Sequence, residues 1–134
     1  MSKFHSAQPI PDDVNAVAKI VVDAAFRVHS TLGPGLLEKV YETCLAYELR
    51  KRGLTVHTQV ELPVIYDGVH LDAGMRIDMI VAENLLIELK AVEMILPVHK
   101  AQLLTYLKLT GHRLGLLINF NVPIIRDGID RLAL

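Results

Sequence analysis

Two short segments near the middle of the chain carry a pattern that only a two-sided ribbon satisfies. From Met75 to Val81, and again from Leu85 to Ala91, the side chains sort into two sets at alternate positions. Strand side chains point to opposite faces in turn. One face then holds Met75, Ile77, Met79, Val81, Leu85, Ile87, Leu89 and Ala91, and the other carries Arg76, Asp78, Glu88 and Lys90. The connection decides whether the two polar sets meet. A two-residue turn at Glu83-Asn84 would put the acids on opposite faces. A three-residue loop, Ala82-Glu83-Asn84, sets Asp78 against Glu88 and Arg76 against Lys90, and keeps all eight apolar residues together. A slip of one residue would bury charge and expose core. The three-residue loop is therefore expected, with Asn84 in its left-handed position.

The flanking sequence supplies layers to cover such a ribbon. Residues 1–10 read as a flexible tail, and residues 11–134 as one domain. Pro11-Asp12-Asp13 opens a first helix, with acids at its positive end, and Gly33-Pro34-Gly35 closes it. A second helix runs from about Leu36 to Arg52 and presents Leu36, Val40, Tyr41, Cys44, Leu45, Tyr47 and Leu49 on one broad arc. Two acids intrude on that arc, Glu48 near its centre and Glu38 at its edge. Strands follow at 56–66, 74–81 and 85–91, with Asp67-Gly68 as a hairpin turn. Pro97 opens a third helix, 97–110, closed by Gly111. Leu114 to Phe120 is a buried strand, and 124–134, with Asp127-Gly128, suggests a short terminal hairpin. The order is ααβββαβ, an α/β fold with a single mixed β-sheet flanked by helices.

Charge and cysteine content narrow the function classes. Fourteen Lys and Arg against fifteen Asp and Glu leave a net charge of −1, so no global attraction to polyanions is built in and any anion-binding surface is local. The single cysteine, Cys44, excludes an internal disulfide and fits a reducing compartment. No apolar run approaches the ~20 residues of a membrane span, and the N-terminus has no apolar leader. A cytoplasmic location and no membrane partner are expected.

The polar face of the ribbon poses the chemical question. In the expected register Asp78 and Glu88 stand roughly 5 Å apart at Cβ, and two ionised carboxylates that close repel. A hard divalent cation resolves the repulsion, with Mg²⁺ held by one or two carboxylates, waters and phosphate oxygens. Lys90 beside it could orient water or offset charge on a pentacovalent phosphate. The same four residues, Arg76, Asp78, Glu88 and Lys90, would also make a surface charge network with no catalysis. On the third helix, His99, Gln102 and Tyr106 share one face. They either reach the site or form the hydrated stripe of an amphipathic helix. Glu38 and Glu48 lie about 15 Å apart along their helix, too far to share a metal. Glu48 is read as the partner of an Arg or a backbone amide.

These residues resemble a known signature. Asp78 followed by Glu88-Leu89-Lys90 on the next strand resembles the PD-(D/E)xK nuclease superfamily. Gln102 and Tyr106 are similar to the QxxxY motif of its recombination-exonuclease-type members. Gly35-Leu36-Leu37-Glu38-Lys39-Val40-Tyr41 matches the naming motif of the small bacterial GxxExxY proteins placed in that superfamily. Ile77 stands where the superfamily name has Pro. The resemblance implies a restriction-endonuclease-like core and Mg²⁺- or Mn²⁺-dependent hydrolysis of nucleic-acid phosphodiesters, DNA ahead of RNA. It implies Asp78, Glu88 and Glu38 as metal-binding acids and Lys90 as the catalytic lysine. Gln102, Tyr106, Tyr41, Arg76 and His99 would shape the site or contact substrate. A homodimer would place two such sites on two strands. The competing reading keeps the fold without catalysis, as a nucleic-acid-binding or protein-assembly module.

Overall fold

A computed structural model describes residues 8–134. The expected flexible tail lies outside the described residues for 1–7. Residues 8–10 are tied to the body, since Arg113 donates to Gln8 O at 2.9 Å and Asn15 to Ile10 O at 3.2 Å.

Helix α1 spans Asp12–Leu32, and Val14, Val17, Ala18, Val21, Ala25 and Val28 form its buried stripe. Its C-terminus stops at Gly33, whose N–H bonds His29 O at 2.7 Å. Helix α2 spans Glu38–Lys51 and buries Tyr41, Glu42, Leu45, Ala46 and Leu49. The stripe is rotated from the expected arc. Leu36, Val40 and Tyr47 face outward, Tyr47 with 67% of its surface exposed. Tyr41 fixes that rotation. Its ring stacks on Phe120 at 4.6 Å, and its hydroxyl donates to Gly33 O at 2.6 Å.

Seven strands follow: β1 Val56–Glu61, β2 Val64–Tyr66, β3 Val69–Leu71, β4 Arg76–Val81, β5 Leu85–Lys90, β6 Leu114–Asn119 and β7 Ile129–Ala133, with helix α3, Pro97–Thr110, between β5 and β6. The main sheet has the order β1-β4-β5-β6-β7. The α3 crossover makes β5 and β6 parallel, and the other pairs are antiparallel. The chain is thus α/β with a mixed five-stranded sheet, as a restriction-endonuclease-like core requires. Pro63 has no amide for a ladder and divides the expected 56–66 strand. Beyond it, β2 and β3 form a separate hairpin whose turn, Asp67-Gly68, has positive φ at both residues. The terminal segment makes no hairpin of its own. A 3₁₀ turn, Ile125–Gly128, leads into β7, which pairs along β6. Gly128 permits that turn, because a Cβ there would lie 2.1 Å from Asn119 O.

The sheet is covered on both faces. Helices α1 and α2 pack on Met79, Val81, Leu85, Ile87, Leu89, Leu116 and Ile118. Helix α3 packs through Leu103, Tyr106 and Leu107 on Leu86, Leu117 and Ile77. The expected half-buried polar face is therefore a second core layer along most of its length. Met75 and Ile77 also join the α3 side instead of the face of Met79. Strand alternation is reset at Asp78, where the β1–β4 ladder skips Gln59 and Asp78 between Thr58–Met79 and Val60–Ile77. Among the described residues no helix is long and apolar enough to cross a membrane.

Candidate active site

The connection between β4 and β5 has three residues, and the ladder pairs Val81 with Leu85, Ile80 with Leu86 and Met79 with Ile87. Left-handed backbone falls on Ala82 (φ 52°) and Glu83 (φ 61°) instead of the expected Asn84. The turn closes with Asn84 N–H on Val81 O at 3.1 Å. Two consecutive positive φ angles give the mirror-image turn that matches strand twist.

One step past Met79 and Ile87 the ladder stops. Continuing the register sets Asp78 across from Glu88, and there the carboxylates take over the backbone's hydrogen bonds. Asp78 N–H donates to Glu88 Oε1 at 3.0 Å, and Leu89 N–H donates to Asp78 Oδ2 at 2.8 Å. The strands form a fork whose prongs each carry an acid. Burial pushes the Glu88 carboxyl up to about 8, helped by the charge of Asp78 and a hydrogen bond between the two carboxyls. The N–H of Asp78 and the charge of Lys90 oppose that rise. Burial also raises Asp78, against hydrogen bonds from Leu89 and Gln59. Lys90, two residues beyond Glu88 on β5, is partly exposed, and among the described residues no carboxylate lies within ion-pair distance of it.

The loop before α2 sets Glu38 near this fork. Gly35, at φ 96°, donates its N–H to Asn121 Oδ1 at 3.1 Å. Tyr41 Oη accepts from Leu36 N–H at 3.1 Å while donating to Gly33 O. Glu38 then begins the helix. Partial burial and the charge of Asp78 raise its carboxyl, and Lys90 pulls it down.

Residues 15–132 match the family model described as the PD-(D/E)XK nuclease superfamily. The chain belongs to the PD-(D/E)XK nuclease superfamily. No curated protein and no solved structure matches it.

Within this superfamily chain the sequence-derived residues divide. Asp78 and Glu88 meet at the fork, the charge of Lys90 acts on both, and Tyr106 packs with Ile77 and Leu86 on the α3 side. Gln102 Nε2 donates to Tyr106 Oη at 3.0 Å. Burial raises the Tyr106 phenol, and the charge of Glu88 adds to the rise. Three residues are engaged elsewhere. Arg76 turns outward to Glu61 and Asp72, each at 3.6 Å, instead of meeting Lys90. His99 accepts Leu96 N–H at 3.0 Å through Nδ1 and so caps α3. Tyr41 is fully buried and braces the loop before α2. Among the described residues no three His, Cys, Asp or Glu side chains converge to hold a metal. Glu38, expected as a third ligand, lies in the first turn of α2, where the charge of Asp78 acts on its carboxyl. Glu48 pairs with Arg52 at 2.9 Å on the far part of α2.

Two residues were absent from the sequence reading. Glu42 is buried at 5% exposure, with Lys39 Nζ at 2.8 Å from Oε1. Gln59 Nε2 donates to Glu42 Oε2 and, at 3.3 Å, to Asp78 Oδ1. Glu42 follows Glu38 by one helical turn, a spacing that would have flagged it. For Gln59 no local signal exists.

The donor set fits a divalent cation. One oxygen of each carboxyl accepts a backbone N–H of the opposite strand, Glu88 Oε1 from Asp78 and Asp78 Oδ2 from Leu89, so the two acids are held side by side. Two carboxyls held this close, Glu88 buried and Asp78 half-buried, repel when both are ionised, and a divalent cation between them relieves that repulsion.

Proposed function

We propose that the protein is a metal-dependent nuclease that hydrolyses nucleic-acid phosphodiester bonds, with DNA the favoured substrate. The observation that carries this reading is the Asp78–Glu88 pair at the fork of β4 and β5, each carboxyl held by an amide of the other strand, with Lys90 two residues beyond Glu88 on β5. Asp78 and Glu88 would hold Mg²⁺ or Mn²⁺. When bound, such an ion supplies Lewis-acid polarisation of the phosphoryl group and a more acidic water.

The chain's own groups account for the remaining roles. The backbone amides of Asp78 and Leu89 fix the two carboxyls, so their remaining oxygens need little reorganisation. Lys90 holds a positive charge where a phosphate oxygen gains negative charge, and its N–H groups orient the attacking water. Glu38 and Glu42 keep the region electronegative. Tyr106, buttressed by Gln102, forms the floor on the α3 side. The motif Gly35, Glu38, Tyr41 supports placement with the GxxExxY proteins, in which Tyr41 would serve as scaffold.

A second reading has its own support. The net charge of −1 supplies no general pull on a polyanion, and the β2–β3 hairpin exposes Ile65, Tyr66, Val69 and Leu71. Both features suit a nuclease-fold module that assembles with another chain. A homodimer would join the readings, since it adds surface and pairs two sites. Sedimentation showing only monomer at micromolar concentration would remove that option.

Cleavage assays separate the two. Single-stranded, duplex and branched DNA are incubated with Mg²⁺ or Mn²⁺ and either wild type or Lys90→Ala. Cutting by wild type alone supports the nuclease. No cutting of any substrate, with no metal affinity, supports the assembly module.

A further inference from the structure

Four non-glycine residues among those described have positive φ: Gln59, Asp67, Ala82 and Glu83. Three sit in hairpin turns, where that backbone is ordinary. Gln59, at φ 52°, lies inside β1. Such backbone in a strand is unfavourable and persists only where its surroundings enforce it. Here it coincides with the gap in the β1–β4 ladder, directly across from Asp78.

The side chain explains what the kink accomplishes. One amide nitrogen of Gln59 reaches both the buried Glu42 carboxylate and Asp78 Oδ1. Asp78 Oδ2 is already held by Leu89 N–H. Gln59 is therefore the second restraint on the Asp78 carboxylate, and Glu42 is the anchor from which it acts. A buried Glu on α2 has no packing role that Leu or Met would not fill better. Its exposed partner, Lys39, does not require it to be inside.

We propose that Gln59 is a positioning residue for the metal-binding acid: braced on Glu42, it orients Asp78 Oδ1 toward the bound cation. The proposal rests on the nuclease reading, since it assigns Asp78 a cation to hold. Groups that orient metal ligands typically change metal affinity 10–100-fold when removed. The left-handed backbone offers a clean test, because glycine adopts it without strain. Gln59→Gly removes the amide while easing the fold.

The experiment is calorimetric titration of Mn²⁺ into the full chain, with metal-free melting temperature measured in parallel. Wild type, Gln59→Gly, Glu42→Gln and the double variant are compared. The expected result is about tenfold weaker Mn²⁺ binding in Gln59→Gly, with a melting temperature at or above wild type. Glu42→Gln is expected to weaken binding in the wild-type background, and to weaken it less once Gln59 is gone, when only the loss of its charge remains. Unchanged affinity in Gln59→Gly overturns the positioning role and leaves the nuclease reading standing. An equal effect of Glu42→Gln in both backgrounds overturns the bracing. Wild type that binds no Mn²⁺ overturns both the proposal and the nuclease reading beneath it.

Discussion

The two ends of the β4–β5 ribbon are built from the same strands and behave as opposites. At the turn end, Val81–Leu85, Ile80–Leu86 and Met79–Ile87 form an unbroken ladder covered by helices on both sides. At the other end the strands part, and two carboxylates occupy the amides that the ladder would have used. The zipped end satisfies the backbone with backbone and buries only apolar groups. The forked end satisfies it with acids, at a cost in desolvation that folding alone does not require. Apolar packing is thus concentrated at one end and the paired acids at the other, about three residues apart along one strand pair.

Mutations should separate the ends. The largest effect is expected at the fork and on activity alone. Lys90→Ala should lower cleavage at least about a hundredfold with no loss of melting temperature, as read in a nuclease assay beside a thermal melt. At the zipped end, Ile87→Ala removes a fully buried side chain. It should destabilise the fold by about 2–5 kcal/mol in urea unfolding. If Ile87→Ala left stability unchanged, the contrast between the ends would collapse.

The fork should also reveal itself in pH dependence. Burial pushes the Glu88 carboxyl up to about 8 in the folded chain, from an ordinary value of 4.5. Between those values the folded state holds a proton that the unfolded state has released. Metal-free stability should therefore be greatest below the unfolded value and fall as pH rises toward 8. Thermal melts from pH 5 to 9 should show the decline, and Glu88→Gln should flatten it. A flat wild-type profile would mean that Glu88 is not confined with Asp78. The smallest effect is expected at a residue placed outside the site. His99→Ala should cost about 0.5–1 kcal/mol through the loss of a helix cap and leave metal affinity unchanged. A strong loss of metal binding would return His99 to the site.

The legible parts of the molecule were those set by local rules. Alternation from Met75 to Ala91 gave the three-residue connection and placed Asp78 across from Glu88, because a slip inverts both faces. Pro97 and Gly111 bracketed α3, and Asp67-Gly68 marked a turn. What failed to show were features decided by tertiary contact. The rotation of α2 depends on Tyr41 meeting Phe120, which lies far along the chain. Asp127-Gly128 looked like another hairpin, but its glycine serves a close approach to Asn119. Arg76 shares the strand with Asp78, yet Glu61 and Asp72 draw it away. The kink at Gln59 broke the alternation that had placed Met75 and Ile77 with Met79.

Titration calorimetry of Mn²⁺ at pH 7, repeated in two buffers of different ionisation enthalpy, tests the fork most directly. The expected result is binding accompanied by release of a proton, because burial raises the Glu88 carboxyl to about 8 and the ion displaces its proton, and loss of both signals in Asp78→Asn. Absence of binding, or binding that survives Asp78→Asn with no proton released, would contradict the account.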